Sequence, residues 1–248
     1  MDIQSLLGIH PGNFRGQNLP TEEILRWFGV CEAYWSHNGD ARAPHALLTS
    51  GKHSNAFFDC LRVLEYVNLS EILANQLAIQ IRSVIGRQKV DWVIASPMAG
   101  ITFGHDVARA LGATRFFFTE KDPADKDKML WNRRSIPAGE TVLQIEELIT
   151  TAKTLNAVQS AVDAGNKYPV TWLPYIGTLV HRPEKLDAGG GRQRYGQRHV
   201  IALIEQEVWT AEQKDCPLCV HGSVAIRPKQ DKNWDILTGK LPLSAQSS

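Results

Sequence analysis

Two adjacent carboxylates and a hydroxyl-rich turn are the features of this sequence that best suit chemistry on a phosphorylated sugar. Glu146 and Glu147 follow the apolar residues Val142, Leu143 and Ile145, which predict a strand, and the polar turn 150–154 leads into a segment with the apolar spacing of a helix. Amides and hydroxyls at a helix N-terminus can hold a phosphate, and carboxylates can bind ribose hydroxyls or hydrated Mg²⁺. The stretch therefore predicts a sugar-phosphate site. An ordinary strand–loop–helix connection with a solvated loop is the alternative.

The acid pair imposes a condition on the backbone. Neighbouring residues of an extended strand point to opposite faces, so Glu146 and Glu147 can face one cleft only if the chain turns where the strand ends. Residues 149–150 and the start of the next helix permit such a turn, and we expect it there.

The composition fits one well-packed domain, with room for a small subdomain. The chain has 248 residues, of which 43% are hydrophobic and 21% charged, and its formal net charge is +1. This balance argues against a dedicated nucleic-acid binder, and no apolar run has the length of a membrane span. The N-terminal segment lacks the features of a signal peptide, and four cysteines are too few for a disulfide framework. We therefore expect a cytoplasmic protein with small-molecule substrates and neither nucleic acid nor membrane as a partner.

Alternating apolar strands and amphipathic helices predict an α/β fold. Residues 90–95 form the near-continuous apolar run of a buried parallel strand, and residues 69–85 carry a helical pattern. Such alternation is typical of a parallel sheet with helices on both faces, where ligands bind at the carboxyl ends of the strands. Because the loops that begin at Ser96, Glu120 and Glu146 leave such ends, we expect them to converge on one ligand.

Further polar segments follow one another in the order of the functional elements of a known enzyme family. Residues 49–58 resemble a base-binding segment, residues 96–101 a pyrophosphate loop, and the charged residues 120–134 a mobile catalytic loop. The sequence His-Arg-Pro at 181–183 resembles an element whose arginine meets a carboxylate, and residues 216–229 resemble a C-terminal tail. Together with the strand and turn described above, these segments resemble the type I phosphoribosyltransferases over nearly the whole chain, and within that family the orotate phosphoribosyltransferases.

The resemblance implies both a fold and a reaction. The fold is a parallel sheet flanked by helices, with an N-terminal arm, helix and base-binding hood in residues 1–68, a core that binds phosphoribosyl diphosphate (PRPP) in residues 69–210 and a tail in residues 211–248. The reaction joins orotate to PRPP and gives orotidine 5′-monophosphate and pyrophosphate, with Mg²⁺ as the cofactor and a homodimer as the assembly. Positioning and electrostatics supply most of such catalysis, because the sugar becomes oxocarbenium-like as pyrophosphate leaves.

The resemblance also implies roles for individual side chains, and none of them is expected to be a dedicated metal ligand. Each role has a structural alternative: a solvated turn for Lys52, a solvated loop for the lid cations, the core for the two phenylalanines and the surface for Arg182. The catalytic set is Lys121, Lys126, Lys128, Glu146 and Glu147. The substrate-binding set is Lys52, Phe57, Phe58, Ser96, Met98, Ala99, Gly100, Thr150, Thr151, Ala152, Lys153, Thr154 and Arg182.

The motif departs from the family pattern in ways that leave a second function open. Glu147 stands where the family usually has Asp, Ala152 and Lys153 stand where it has two glycines, and His181 replaces an acid. Glu147 reaches farther by roughly 1.5 Å, and a positive φ at Lys153 would strain the backbone. The alternative function is a catalytically weak protein of the same fold that binds PRPP or a nucleotide in a regulatory role. A Rossmann oxidoreductase is disfavoured because no GxGxxG motif follows an early strand.

Cys216 and Cys219 raise a separate question about metal. They are separated by two residues and are followed by His221, which suggests zinc. A lone pair of this kind lacks the second pair of ligands of a closed structural site. A redox role is also disfavoured, because the pair does not open a helix after a strand. The sequence favours no metal here and keeps zinc as the alternative.

Overall fold

The computed structural model describes residues 1–125, 127–186 and 193–245 of the chain. Among these residues, no helix combines the length and apolar character that crossing a bilayer requires. The helices are α1 (Ile3–Leu7), α2 (Thr21–Val30), α3 (Leu61–Leu64), α4 (Val67–Ile85), α5 (Ala99–Leu111), α6 (Lys153–Gly165) and α7 (Asn233–Leu237). The strands are β1 (Tyr34–Ser36), β2 (His45–Leu47), β3 (His53–Ser54), β4 (Ala56–Phe58), β5 (Trp92–Ala95), β6 (Arg115–Phe118), β7 (Glu120–Lys121), β8 (Met129–Leu130), β9 (Thr141–Ile149), β10 (Thr171–His181), β11 (Arg194–Tyr195), β12 (Arg198–Glu205), β13 (Thr210–Ala211) and β14 (Ala225–Ile226).

The largest sheet has the strand order β11–β12–β10–β9–β5–β6. Its strands from β12 to β6 are parallel, and the short β11 runs antiparallel to β12 at one edge. Helices α2, α4 and α5 bury their apolar residues against one face, and α6 packs on the other face with Trp131. The structure therefore confirms the predicted α/β fold with helices on both faces of a mainly parallel sheet.

Successive side chains of β9 point to opposite faces of the sheet, so this strand packs against the helices on both sides. Leu143 and Ile145 join the cluster beneath α4 and α5, whereas Val142 joins the cluster beneath α6. In the neighbouring β10, a Cβ on Gly177 would lie 2.6 Å from Cδ1 of Ile145 and 2.9 Å from Cδ1 of Ile81. Only glycine therefore lets α4 approach the sheet this closely.

A second sheet of four strands, in the order β13–β3–β2–β14, forms a hood. Strands β2 and β3 make an antiparallel hairpin, and the tail supplies a strand on each of its edges. In contrast, Leu6, Ile24 and Val63 of the first three helices pack into the main core. The hood thus combines part of the predicted N-terminal segment with the tail, and the rest of that segment belongs to the main core.

Candidate active site

A cavity of about 430 Å³ lies between the hood and the carboxyl ends of β9 and β10. It brings together six residues that the sequence analysis assigned to substrate binding: Lys52, Phe57, Phe58, Thr150, Thr151 and Arg182. Thr49 and Ser50 belong to the predicted base-binding segment and Lys229 to the predicted tail element, although no role was assigned to them individually. The remaining lining residues were not singled out in the sequence: Leu48, Leu148, Glu184, Val208 and Thr210. The hood and the sheet edge therefore meet around one space.

Arg182 places a mostly buried positive charge in this cavity. It directly follows β10, and its backbone N–H donates to the carbonyl oxygen of Ile149 at 2.9 Å. Its Nε atom is buried without a hydrogen-bond partner among the described residues, and burial lowers the pKa of its guanidinium. A buried cation without a partner is costly unless a ligand supplies the opposite charge. The cavity therefore favours an anionic ligand.

Two lysines add to the positive charge of the cavity. Lys52 lies in the turn between β2 and β3. Lys229 comes from the tail, and its Nζ lies 2.7 Å from Oδ2 of Asp59 and 5.9 Å from the ring centre of Phe57. Among the described residues, the one acid in the lining is Glu184, whose Oε1 accepts a hydrogen bond from Thr210. Cations outnumber acids in the lining, which again favours an anion.

The two phenylalanines contribute differently. Phe58 is 5% exposed and stacks on Tyr34 with 4.6 Å between ring centres, so most of its surface belongs to the core. Phe57 is half-buried and packs edge-on against Trp234 at the hood. Adjacent residues of β4 face opposite sides, and Phe57 is therefore the ring with more surface left for a ligand.

The turn 150–154 encloses a smaller cavity of about 40 Å³ at the start of α6. Ala152 is the residue before the helix and has a left-handed conformation, with φ of 58°. The strain expected at Lys153 therefore falls on Ala152, where a left-handed non-glycine residue costs about 1–2 kcal/mol. Lys153 instead begins the helix, and Thr154 lies in the first helical turn. The first-turn amides of α6 have no partner within the helix, so this helix N-terminus together with the small cavity suits an anion.

The charged segment after β6 forms a hairpin of β7 and β8. Its ion pairs join Lys128 to Asp125 at 3.2 Å and Lys153 of the turn to Asp127 at 2.7 Å. Lys121 and Lys128 are exposed on this hairpin and line neither cavity; Lys126 lies outside the described residues. Exposed pairs contribute only about 0–1 kcal/mol each, so these contacts hold the hairpin near the turn without fixing it there.

The loop after β5 approaches the acid pair. Ser96 is buried, Met98 is 77% exposed, and α5 begins at Ala99. A Cβ on Gly100 would lie 3.2 Å from Oγ of Ser96 and 3.6 Å from Oε2 of Glu147. Glycine at position 100 thus allows the first turn of α5 to approach both side chains.

The two acids project from opposite faces of β9, which corrects the expected turn between them. The strand remains extended to Ile149, so its side chains keep alternating through Glu146 and Glu147. Glu146 is 2% exposed and accepts hydrogen bonds from Ser96 Oγ and, at 2.8 Å, from Gln144 Nε2. Glu147 is half-buried beside Gly100. Glu146 therefore contacts the loop after β5, whereas Glu147 lies beside the first turn of α5 on the other side of the strand.

A buried polar network that the sequence analysis missed supports Glu146. Gln144 lies two residues before it on the same face of β9, and its Oε1 accepts from Nη1 of Arg198 at 2.8 Å. Both side chains are buried. A polar residue in an otherwise apolar strand was the available signal, because a buried amide needs a partner.

Burial raises the pKa of Glu146 to about 8, although the Ser96 hydrogen bond opposes the shift and the charge of Glu147 adds to it. Burial also raises the pKa of Glu147. A carboxylic acid with this pKa is mostly protonated at neutral pH in the ligand-free protein, and a cation or hydroxyl donors arriving with a ligand would favour its ionised form.

We expect the free energy of unfolding of the wild type to fall, relative to the Glu146→Gln variant, as the pH rises from about 4.3 to about 8. The folded state keeps the Glu146 proton up to its raised pKa, whereas the unfolded chain loses it near the ordinary value. Stability is therefore fully present below that ordinary value and is lost with rising pH, by at most about 1.4 kcal/mol per pH unit. Urea unfolding of both proteins across this range measures the difference. A constant difference would contradict the protonated acid.

Comparison with known proteins finds relatives that are named orotate phosphoribosyltransferase. No protein-family model matches it. It is 33% identical over 202 residues to orotate phosphoribosyltransferase of Pelotomaculum thermopropionicum, covering 81% of this chain and 96% of the relative. It is 34% identical over 208 residues to that of Desulforamulus reducens, covering 84% and 95%. The crystal structure of orotate phosphoribosyltransferase from Aeropyrum pernix is similar with a TM-score of 0.51 at 13% identity, covering 73% of this chain and 93% of that one, which supports the fold.

Proposed function

We infer that this chain, which belongs to the orotate phosphoribosyltransferase family of type I phosphoribosyltransferases, joins orotate to PRPP. The products are orotidine 5′-monophosphate and pyrophosphate. The observation that carries this proposal is the mostly buried Arg182, whose Nε lacks a partner in a cavity that continues to the hydroxyl-rich turn. A carboxylated base would pair with Arg182, and a sugar phosphate would bind in the hydroxyl-rich turn.

In this proposal the base occupies the 430 Å³ cavity. The guanidinium of Arg182 donates two parallel hydrogen bonds to the carboxylate of orotate, a geometry that arginine supports better than lysine. Lys52 provides a second positive charge that can bridge the base and the departing pyrophosphate. Phe57 covers the ring. The base therefore supplies the negative charge that the cavity lacks.

The 5′-phosphate of PRPP then lies in the turn 150–154, held by first-turn amides and threonine hydroxyls. Thr150 and Thr151 line both cavities, so the two ligand groups are neighbours. Such an arrangement brings the base nitrogen and the sugar carbon together, which is the largest contribution that positioning makes to this kind of transfer.

Glu146 and Glu147 supply the negative charge that an electron-poor sugar needs. Oxygen ligands suit Mg²⁺, which is usually held by one or two carboxylates together with substrate phosphates. Glu147 fits that role because its half-buried carboxylate has no salt bridge among the described residues. When bound, Mg²⁺ neutralises the pyrophosphate that departs. The protein's own part is to hold the ribose hydroxyls and exclude water.

A homodimer and a cytoplasmic setting complete the proposal. Exposed apolar side chains favour the first, since Leu61 is 51% and Val67 79% exposed at the start of α3 and α4. A lid hairpin held by exposed ion pairs can then reach a neighbouring subunit.

A second candidate function is a catalytically weak sensor of PRPP or a nucleotide. The left-handed Ala152 and the buried, protonated Glu146 favour it, because both depart from an open, charged PRPP site. The cations of the base cavity favour the enzyme.

Incubation with PRPP, Mg²⁺ and a panel of bases distinguishes these functions. We expect pyrophosphate to be released with orotate and not with uracil, adenine or hypoxanthine, and to depend on Mg²⁺. Release with a purine would overturn the substrate and leave the family unchanged. PRPP binding without turnover of any base would favour the sensor.

We also expect Thr151→Val and Thr154→Val each to weaken PRPP binding by about tenfold or more, since each removes a hydrogen bond to a charged phosphate. Calorimetry with PRPP measures the change, and Thr171→Val at the exposed start of β10 is the matched control. A crystal structure grown in sulfate should show an anion in the turn. An empty turn with ligand bound elsewhere would contradict the assignment.

A further inference from the structure

Four metal-ligating side chains from distant parts of the chain meet inside the hood. His45 lies on β2 and His53 on β3, while Cys216 and Cys219 come from the tail. Their nearest ligand atoms all lie within 4.8 Å of one another. Three of the side chains are buried and Cys219 is partly buried. The hood hairpin therefore supplies the second ligand pair, which the spacing of Cys216 and Cys219 alone does not give.

The separations match those around a tetrahedral ion. Nε2 of His45 lies 3.4 Å from Sγ of Cys216 and 3.7 Å from Sγ of Cys219, and Nδ1 of His53 lies 3.3 Å from Sγ of Cys219. Tetrahedral zinc, with Zn–N of about 2.0 Å and Zn–S of about 2.3 Å, sets nitrogen–sulfur separations of about 3.5 Å. The two imidazole nitrogens are 2.9 Å apart, so a few tenths of an ångström of outward movement would bring them to the separation of two nitrogens around such an ion.

A neighbouring hydroxyl presents His45 in the form that binds metal. Ser223 Oγ donates to the carbonyl oxygen of Ala43, so its lone pairs remain to accept from Nδ1–H of His45 at 2.6 Å. This tautomer leaves the lone pair of Nε2 pointing at the cluster. A ligating histidine is usually oriented by this kind of hydrogen bond from its other ring nitrogen.

We propose that His45, His53, Cys216 and Cys219 bind a structural Zn²⁺ ion. Sulfur and imidazole ligands in a tetrahedral arrangement select zinc over magnesium or calcium. Binding releases the two thiol protons to solvent, and the two thiolates then balance the charge of the ion. With four protein ligands the site is closed, so its role is to hold the tail against the hood.

The proposed ion has a consequence for the base cavity, and this step rests on the proposed function. The two histidines flank the turn that carries Lys52, and the tail also contributes Lys229 to the same cavity. Loss of the ion should loosen this wall and raise the KM for orotate several-fold more than the KM for PRPP, whose phosphate turn lies on the main sheet.

Metal analysis of the purified protein tests the site independently of activity. We expect about one Zn²⁺ per chain after growth with zinc. Cys216→Ser and Cys219→Ser should each lose most of the zinc, whereas His221→Gln, which changes the exposed histidine two residues after Cys219, should retain it. Wild type without zinc, or full zinc retention by both cysteine variants, would overturn the proposal.

A measurement on the wild type covers the case in which the cysteine variants fail to fold. Mercurial titration of the thiols should release zinc to a colorimetric chelator, and Co²⁺ added to stripped protein should give the visible absorption of a tetrahedral thiolate site. Stripping should also lower the melting temperature, and Zn²⁺ alone should restore it. A Cys216–Cys219 disulfide, seen as two thiols protected from alkylation without metal, would overturn the site. If zinc is present and no base is turned over, the metal site stands and the proposed function fails.

Discussion

Replacing Arg182 by alanine is expected to raise the KM for orotate by about 10- to 100-fold and to leave the KM for PRPP nearly unchanged. The guanidinium is mostly buried, and its Nε lacks a partner among the described residues. A hydrogen bond to a charged group contributes about 1.5–3 kcal/mol, which gives the range. Initial rates with each substrate varied at saturation of the other measure both constants.

Three controls make this result specific. Arg182→Lys should recover only part of the orotate affinity, because an ammonium cannot match the two carboxylate oxygens at once. Arg182→Met keeps the length of the side chain without the charge, and removing a buried unpaired cation should leave the melting temperature equal or higher. Arg87→Ala, at an exposed arginine, should change neither constant. Equal loss of affinity for orotate and PRPP would contradict a role at the base.

The second large effect is a loss of turnover when either Glu146 or Glu147 is replaced. Glu146→Gln and Glu147→Gln should each lower turnover by at least tenfold, or about 1.4 kcal/mol of transition-state stabilisation, with folding intact. Glu147 should respond because its half-buried carboxylate has no salt bridge among the described residues and holds the ribose or Mg²⁺ in the proposed function. Glu146 should respond because its carboxyl group must lose its proton before the carboxylate can stabilise the positive charge that develops on the sugar. The kcat/KM of the wild type, which reports the ligand-free enzyme, should therefore rise with pH toward about 8.

Substitutions toward the family motif distinguish the enzyme from the sensor. The structure moves the informative glycine from position 153 to 152, since Ala152 has the positive φ. Glu147→Asp combined with Ala152→Gly should leave activity equal or higher, and Lys153→Gly should chiefly remove the contact with Asp127. If the wild type binds PRPP without turnover and the double variant gains turnover, the sensor is the correct function.

The sequence predicted secondary structure best where the pattern lies within a single strand or helix. The apolar run at 90–95 and the apolar residues Val142, Leu143 and Ile145 identify buried strands because this pattern is local. The side-chain directions at Glu146 and Glu147 depended on where β9 ends, and element ends are the least certain part of any pattern. In the same way, the start of α6 at Lys153 decided that Ala152, and not Lys153, has the positive φ.

Long-range pairs were not visible in the sequence. His45 lies 171 residues from Cys216, and no spacing rule connects a hairpin histidine to a tail cysteine. Arg198 and Gln144 likewise meet only because β12 and β9 belong to one sheet. Such pairs follow from topology, and a single sequence gives topology only through resemblance.

The position of β13 and β14 on both edges of the hood sheet sets an order of events during protein synthesis. The hairpin of β2 and β3 emerges from the ribosome early, yet its strand neighbours are residues 210–226. A lone hairpin has marginal stability in water, whereas the main sheet is complete once β12 has been made. A nascent chain can therefore assemble the phosphate turn first and acquire its base cavity only when residues 210–226 have left the ribosome, and a chain truncated before residue 210 would keep the former without the latter.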